Sequence, residues 1–239
     1  MTAPPTEYNS DTDARFPTCK QDVRDQARCG SCWAFGAAEA FEDRYCRATG
    51  TPIRFSPQDL VSCEKDQFAC DGGYLNKVWN FIQSTGIVAD DCMPYTSDQG
   101  EVEECPKNDC SPSGKQKGGN FKKYKVKNAK GICSIFDATN KCQDKIKQDL
   151  YDNGPIEVGF TVYQDFMSYK SGVYIHTSGS QLGGHAVKLV GYGVDPQDGP
   201  YWLCQNSWAE KWGDKGYFKI GFGQCGIEGQ AYAGTPIVD

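Results

Sequence analysis

The chain has 239 residues and a formal net charge of -6, which is long enough for one large domain or two packed lobes around a full core. No apolar run approaches the ~20 residues that span a bilayer. The one dense basic run, Lys122-Lys123-Tyr124-Lys125-Val126-Lys127, reads as the solvated face of a strand, so neither a membrane nor a nucleic acid is expected as a partner. Thirteen cysteines point away from a reducing compartment, and an odd number leaves one thiol free after pairing. The only histidines are His176 and His185. With no second Cys-x-x-Cys to join them, zinc ligation lacks its donors, and no metal or other cofactor is expected. Met1 before a short polar lead reads as the start of a processed form.

In chain order, the first predicted element starts at Cys32. Trp33, Ala37, Ala40, Phe41 and Tyr45 recur at helical spacing as far as Gly50, a natural stop. Ala34, Ala37, Ala38 and Ala40 predict a buried helix packed closely on its neighbours. Ser56-Pro57-Gln58-Asp59 reads as an N-cap followed by proline at the first helical position. A third helix is predicted over 74–84, with Leu75, Val78, Trp79 and Ile82 on one face and Gly86 after it. Residues 91–117 are long, polar and carry three cysteines, which predicts an irregular surface excursion held by disulfides. A short helix over 143–151 ends at Asn153-Gly154-Pro155. From Ile156 the pattern changes to short runs rich in Val, Ile, Tyr and Phe, giving strands at 156–162, 172–176, 185–194, 201–208 and 216–222. Helices first and antiparallel strands second predict an α+β fold of two lobes, with the active site in the cleft between them.

A nucleophilic cysteine needs its thiolate, and free cysteine has a pKa of ~8.5. Cys32 stands at a predicted helix start, where unpaired N–H groups favour an anion, and a histidine beside it would hold the compensating charge. His185 is the better candidate. It lies in Leu182-Gly183-Gly184-His185-Ala186-Val187, with small residues leaving room for a substrate backbone. The midpoint between His185 and Asn206 falls in the turn-rich Asp195–Pro196 stretch, so a hairpin brings the two together and Asn206 can orient the ring. His176 reads as an ordinary loop-edge histidine. Trp208 can cover the His185–Asn206 hydrogen bond or simply pack in the core. Gln26 is the candidate side-chain donor to a tetrahedral oxyanion, with the Cys32 backbone N–H as the other; taken alone, Gln26 reads as a turn residue.

These blocks resemble papain-family cysteine proteases. Gln26, Cys29-Gly30-Ser31-Cys32-Trp33, Cys70-Asp71-Gly72-Gly73-Tyr74, Gly183-Gly184-His185-Ala186 and Asn206-Ser207-Trp208 stand in that family's order. The detail is similar to the cathepsin B branch, in Trp33 to Ala40, Asn153-Gly154-Pro155, Tyr169 to Tyr174 and Cys225-Gly226-Ile227-Glu228. The resemblance implies a papain-like two-lobed fold, a helical left lobe at about 20–117 and an antiparallel, β-barrel-like right lobe at about 118–225, with termini that cross between lobes. It implies peptide-bond hydrolysis through a Cys32 thioester with His185 as general acid and base. Substrate-binding positions carried over are Gly72, Gly73, Tyr74, Gly184, Ala186, Trp208 and Gln230; Tyr74 also fits a plain helix-start role. Implied disulfides are Cys19–Cys46, Cys29–Cys70, Cys63–Cys105 and Cys92–Cys110. Cys133 and Cys142 close a local insertion, and Cys204 and Cys225 remain as buried free thiols or a sixth bridge. Implied partners are peptide or protein substrates, the enzyme's own propeptide and cystatin-like inhibitors, acting on a monomer in a lysosomal or secretory compartment.

Two departures from the branch alter the expected specificity. Cathepsin B closes the primed side of its cleft with a loop carrying adjacent histidines that grip a substrate carboxylate. The corresponding segment, about 92–117, has no histidine, which predicts mainly endopeptidase action with reduced or absent carboxydipeptidase activity. Counting from Cys225-Gly226-Ile227-Glu228 puts Gln230 where the branch has an acidic residue at the base of S2. A neutral amide cannot pair with a guanidinium, so apolar or aromatic P2 residues are favoured. Two other readings compete: a thiol–disulfide oxidoreductase using Cys29 and Cys32, which wants a βαβ context that is absent here, and an inactive binding homologue, which the filled catalytic positions oppose.

Overall fold

Why the first half is helical is visible at the helix ends. The computed structural model describes residues 2–110 and 121–239. Helix α1 (Cys32–Thr49) is capped by Gly50 in the left-handed region, whose N–H reaches Cys46 O at 2.7 Å, a conformation that glycine adopts without strain. Helix α2 (Pro57–Cys63) follows Ser56, whose Oγ accepts the Asp59 N–H at 3.0 Å. Helix α3 (Leu75–Ser84) buries Leu75, Val78, Trp79 and Ile82. These faces meet α1 in one apolar cluster built on Trp33, Phe41, Phe55, Leu60 and Trp79. Residues 91–110 contain no helix or strand, and residues 111–120 of the predicted excursion lie outside the described part.

The second half is an eight-stranded sheet in the order β2 (Val126–Gly131), β8 (Gln230–Pro236), β3 (Ile156–Tyr163), β5 (Gln181–Asp195), β6 (Gly199–Gln205), β7 (Tyr217–Gly221), β4 (Val173–Tyr174), with β1 (Tyr8–Asn9) pairing β5. Two expectations are corrected. The sheet is open, with β2 and β4 at its ends, and it is mixed, because β4 runs parallel to β7 while the other pairs are antiparallel. Strands β1 and β8 were not anticipated as such, and β2 overlaps only the end of the run at 122–127 that reads as a strand face. In β8 the buried positions are Ala231, Ala233 and Gly234, too small to give a strand-like apolar alternation. Helix α4 (Thr139–Asn153) starts one turn earlier than its apolar spacing indicated, and a short α5 (Gln164–Met167) follows β3. Among the described residues, no helix is long and apolar enough to cross a membrane.

A layer of buried charge joins the halves. Lys188 Nζ on β5 meets Asp43 Oδ2 on α1 at 2.8 Å with both side chains buried. Arg24 pairs with Glu42, and Trp79 Nε1 donates to Glu157 Oε2 at 2.8 Å. Against the two cations Arg24 and Lys188 stand four buried carboxyls, Glu39, Glu42, Asp43 and Glu157. Burial pushes Glu39 up to about 8, Glu42 to about 7 and Asp43 to about 6, and raises Glu157 well above the carboxylate range. The layer is therefore partly protonated near neutral pH.

Candidate active site

Cys32 is the first residue of α1, and its approach is fixed by backbone contact. Gly30 N–H donates to Cys70 O at 2.7 Å, and a Cβ at Gly30 would stand 2.4 Å from that oxygen. Only glycine fits between the Cys29–Cys70 disulfide and the helix start. Cys29 is thus a bridge partner, not half of a redox pair with Cys32. Ser31 Oγ shares a 3.0 Å hydrogen bond with Tyr95 OH, which donates to Gln26 O at 2.7 Å. Cys32 is a free thiol, partly open to solvent. Burial pushes it up to about 11, outweighing hydrogen bonds from the Ala186, Trp33 and Cys32 N–H groups that act downward. The helix start favours the anion as expected, yet by itself it does not produce a low-pKa thiol.

His185 stands on β5, 7 % exposed. The β5–β6 hairpin pairs Asp195 with Gly199 and Lys188 with Gln205, which sends the chain after β6 back toward His185. Asn206 Oδ1 lies 2.7 Å from His185 Nε2. The same oxygen accepts the Ser207 backbone N–H at 2.8 Å. Because a backbone N–H can only donate, that atom is the acceptor, and His185 Nε2 must carry a proton toward it. Nδ1 is the nitrogen left for exchange. The Trp208 ring stacks on the imidazole at 4.6 Å between centroids, and Phe160 meets its edge at 5.7 Å. Asn206 and Trp208 lie just beyond the end of β6, not on the strand predicted through 208. Burial lowers His185 to about 4, opposed by the Asn206 bond. Neither the thiolate nor the imidazolium is favoured alone in this setting. Moving one proton between the two groups creates both charges together, so each offsets the other's desolvation.

Gln26 is buried. Its Oε1 accepts from Ser207 Oγ at 2.7 Å, its Nε2 donates to Cys29 O at 3.0 Å, and its backbone N–H reaches Ser207 O at 2.9 Å. One amide hydrogen is committed to Cys29 and the other is free. Ser207 therefore holds both Gln26 and Asn206, a role the sequence reading did not assign although Ser207 stood inside a quoted motif.

Cys32 and His185 line one cleft of about 450 Å³, together with Gly72, Gly73, Tyr74, Gly184, Ala186 and Gln230. Gly73 lies against the Trp33 ring, where a Cβ would come within 2.6 Å, so no larger residue fits there. The wall also includes Phe68, Gly159 and Phe160, which sequence reading missed; Phe68 and Tyr74 are more than half exposed and pack edge to face at 6.2 Å. Trp208 is not a wall of this cleft and acts from behind the imidazole. A larger cavity of about 640 Å³ around Pro52, Asp91 and Tyr124 pairs no thiol with a histidine, so chemistry and not size singles out the smaller cleft. His176 lies elsewhere, with Nδ1 3.0 Å from Asp165 Oδ1 and its ring stacked on Tyr163 at 3.7 Å. The disulfides Cys19–Cys46, Cys29–Cys70, Cys63–Cys105, Cys92–Cys110 and Cys133–Cys142 are formed. Cys204 is a buried thiol and Cys225 a partly buried one. Among the described residues, no cluster of His, Cys, Asp or Glu is arranged to hold a metal ion.

Residues 8–235 match the family model described as papain family cysteine protease. Curated relatives include cathepsin B-like CP2 of Giardia intestinalis, 42 % identical over 224 residues, covering 92 % of this chain and 71 % of that protein. Cathepsin B of Dictyostelium discoideum is 38 % identical over 243 residues, covering 97 % of this chain and 75 % of the relative. Among solved structures, the chain is similar to procathepsin B S9 from Trypanosoma congolense, with a TM-score of 0.87 and 32 % identity over 99 % of this chain and 79 % of that one. It is also similar to the proform of the ragweed pollen allergen Amb a 11, a cysteine protease, with a TM-score of 0.78 and 26 % identity over 100 % of this chain and 68 % of the other.

Proposed function

Because the chain belongs to the papain family of cysteine proteases, as a cathepsin B-like cysteine peptidase, we propose that it hydrolyses internal peptide bonds with Cys32 as nucleophile and His185 as general acid and base. The observation that carries this is the tautomer of His185, fixed by Asn206 Oδ1 at 2.7 Å. It leaves Nδ1 to receive the Cys32 proton. The thiolate attacks the scissile carbonyl carbon, and the oxyanion accepts from the Cys32 backbone N–H and the free Gln26 amide hydrogen. The C–N bond breaks as Nδ1–H protonates the leaving amine, giving a thioester. Water then attacks the thioester, its proton goes to Nδ1, and the acid leaves as the thiol re-forms. Trp208 and Phe160 shield the His185–Asn206 bond from water. The helical segment and the sheet act as the two lobes that frame the cleft, with β1 carrying the N-terminal part onto the sheet.

Gly72, Gly73, Gly184 and Ala186 offer backbone to an extended substrate, while Tyr74 and Phe68 give an aromatic wall. Gln230 faces Gly159 across the β3–β8 pair and presents an amide to the cleft, so apolar or aromatic P2 side chains are preferred over arginine. The segment about 92–117 has no histidine, which supports endopeptidase over carboxydipeptidase action; its residues 111–120 lie outside the described part. By similarity to structures solved as proforms, a propeptide covers this cleft before activation; cystatin-like inhibitors and a monomeric enzyme complete the reading. Five disulfides fit an oxidising lysosomal or secretory compartment.

Peptide-library hydrolysis tests this reading, with Cys32→Ala as the control. Cleavage at internal bonds with Leu or Phe at P2, abolished in Cys32→Ala, is expected. Arginine at P2 equal to Leu, or dipeptide release from free C-termini as fast as internal cleavage, contradicts the specificity assignment. Turnover by Cys32→Ala contradicts the mechanism.

A further inference from the structure

The insertion between β2 and α4 is unused by the proposed chemistry. It is closed by Cys133–Cys142, with Cα atoms 5.3 Å apart. Its tip carries Ile135 and Phe136, 94 % and 90 % exposed, the most exposed large apolar side chains among the described residues. The loop is held open by its own hydrogen bonds. Ser134 N–H donates to Asp137 Oδ2 at 2.8 Å, Asp137 N–H to Ser134 O at 3.0 Å, and Phe136 N–H to Ser134 Oγ at 3.2 Å. Two ammonium groups stand at its base, Lys145 and Lys141 on Asp137 at 2.6 and 3.1 Å. One carboxylate shared by two lysines leaves a positive excess beside the apolar tip. Lys127 and Lys130 are exposed on the strand that enters the loop.

This belongs to a wider asymmetry. Residues 122–147 contain eight lysines and two aspartates in a chain whose net charge is -6, so this stretch is basic and the rest of the sequence acidic. Lys122, Lys123 and Lys147 are paired with Asp239, Asp59 and Asp144, while Lys127 and Lys130 are exposed on the strand entering the loop. A basic stretch in an acidic chain favours contact with an anionic surface through that stretch. A solvated strand face explains the lysines, but not a rigid tip that displays an isoleucine and a phenylalanine to water.

We propose that the disulfide-closed loop around Ile135 and Phe136 docks on an anionic lipid surface. The two apolar side chains enter the headgroup–acyl boundary, and Lys130, Lys141 and Lys145 face the lipid phosphates. The disulfide and the loop's own hydrogen bonds hold the tip in place before contact, so docking costs little ordering. The sequence reading excluded a membrane partner from the length of apolar runs, a criterion that addresses spanning segments; a surface contact needs none. A sulfated polysaccharide would satisfy the lysines and leave the apolar tip without a role.

Co-sedimentation with vesicles of equimolar phosphatidylglycerol and phosphatidylcholine at low ionic strength tests the proposal. Wild-type protein is expected to bind these vesicles and not pure phosphatidylcholine. Ile135→Ser/Phe136→Ser should lower the partition coefficient by about tenfold or more, since two apolar side chains are lost from the contact. Lys130→Gln/Lys141→Gln should lower it and flatten its salt dependence. Each variant should keep wild-type peptide hydrolysis, which verifies folding. Absence of vesicle binding by the wild type, or binding undiminished in the tip variant, overturns the proposal. So does capture on immobilised heparin that ignores the tip and occurs without vesicle binding.

Discussion

The thiol and the imidazole of this site are built by opposite means. On the helical side, Cys32 is placed by the helix that starts at it and by a covalent anchor on the loop before it: the Cys29–Cys70 bridge, 41 residues apart in sequence, and a glycine at 30 that fits only against Cys70 O. On the sheet side, His185 acquires its properties from residues about twenty positions away, through the hairpin register that returns Asn206, Ser207 and Trp208 to it. The nucleophile is thus held by a helix start and a covalent bridge, whereas the tautomer and shielding of the base are products of strand pairing. Ser207 links the two sides, with its hydroxyl on Gln26 and its backbone N–H on Asn206.

Variants that strike one side and not the other sharpen this contrast. The largest loss is expected for Gln26→Ala, which removes an oxyanion donor and should lower kcat by ~10²–10³-fold with little change in KM; a matching rise in KM would mean Gln26 only binds substrate. Asn206→Ala frees the ring to rotate and should cost on the order of 10²-fold in kcat/KM. The loss should appear with Cys32 still accessible to alkylation, so a variant whose thiol is masked would place Asn206 in the fold and not in the site. Cys29→Ser/Cys70→Ser strikes the helical side through stability, by ~2–4 kcal/mol of unfolding free energy, read as a lowered denaturant midpoint. An unchanged midpoint would mean the Gly30–Cys70 backbone contact alone holds the loop.

The buried layer between the two sides makes a prediction about pH. Glu39, Glu42 and Asp43 have folded pKa values raised to about 8, 7 and 6 by burial, above their unfolded values. The folded state therefore binds more protons than the unfolded state in that window. Their contribution is fully present below about pH 4 to 4.5 and is lost as pH rises toward 8. The melting temperature should fall between pH 5 and pH 8, by an amount on the order of a few kcal/mol of stability, and Glu39→Gln should flatten the slope. A melting temperature that rises or stays level over this range would contradict the assignment of protons to this layer.

How much was legible beforehand follows the same division. The bounds of α1, the Ser56 cap of α2 and the apolar face of α3 follow from spacing and capping chemistry, which act within a few residues. The association of His185 with Asn206 was readable because a turn-rich stretch lies midway between them. The nitrogen used and the stacking of Trp208 behind the ring were not, because both depend on where β6 ends. Strand β8 was missed because Ala231 and Ala233 fill close quarters with little side chain, whereas the outward lysines at 122–127 marked a strand face that overlaps only the start of β2. The expected lowering of the Cys32 thiol rested on the helix start and a charged histidine beside it, without desolvation. Desolvation is a property of the packed cleft, and it reverses the direction. The disulfide pairing, likewise, came from family resemblance and not from spacing.

The central claim is that His185, pinned at Nε2, is what makes Cys32 reactive. The direct measurement is the rate of iodoacetamide alkylation of Cys32 near pH 6 in wild-type enzyme and in His185→Ala, with folding verified by the melting temperature. With the proton acceptor gone, burial leaves a thiol held up to about 11, and alkylation should slow by on the order of 10²-fold or more. A His185→Ala thiol that reacts as fast as the wild type at that pH would contradict the account.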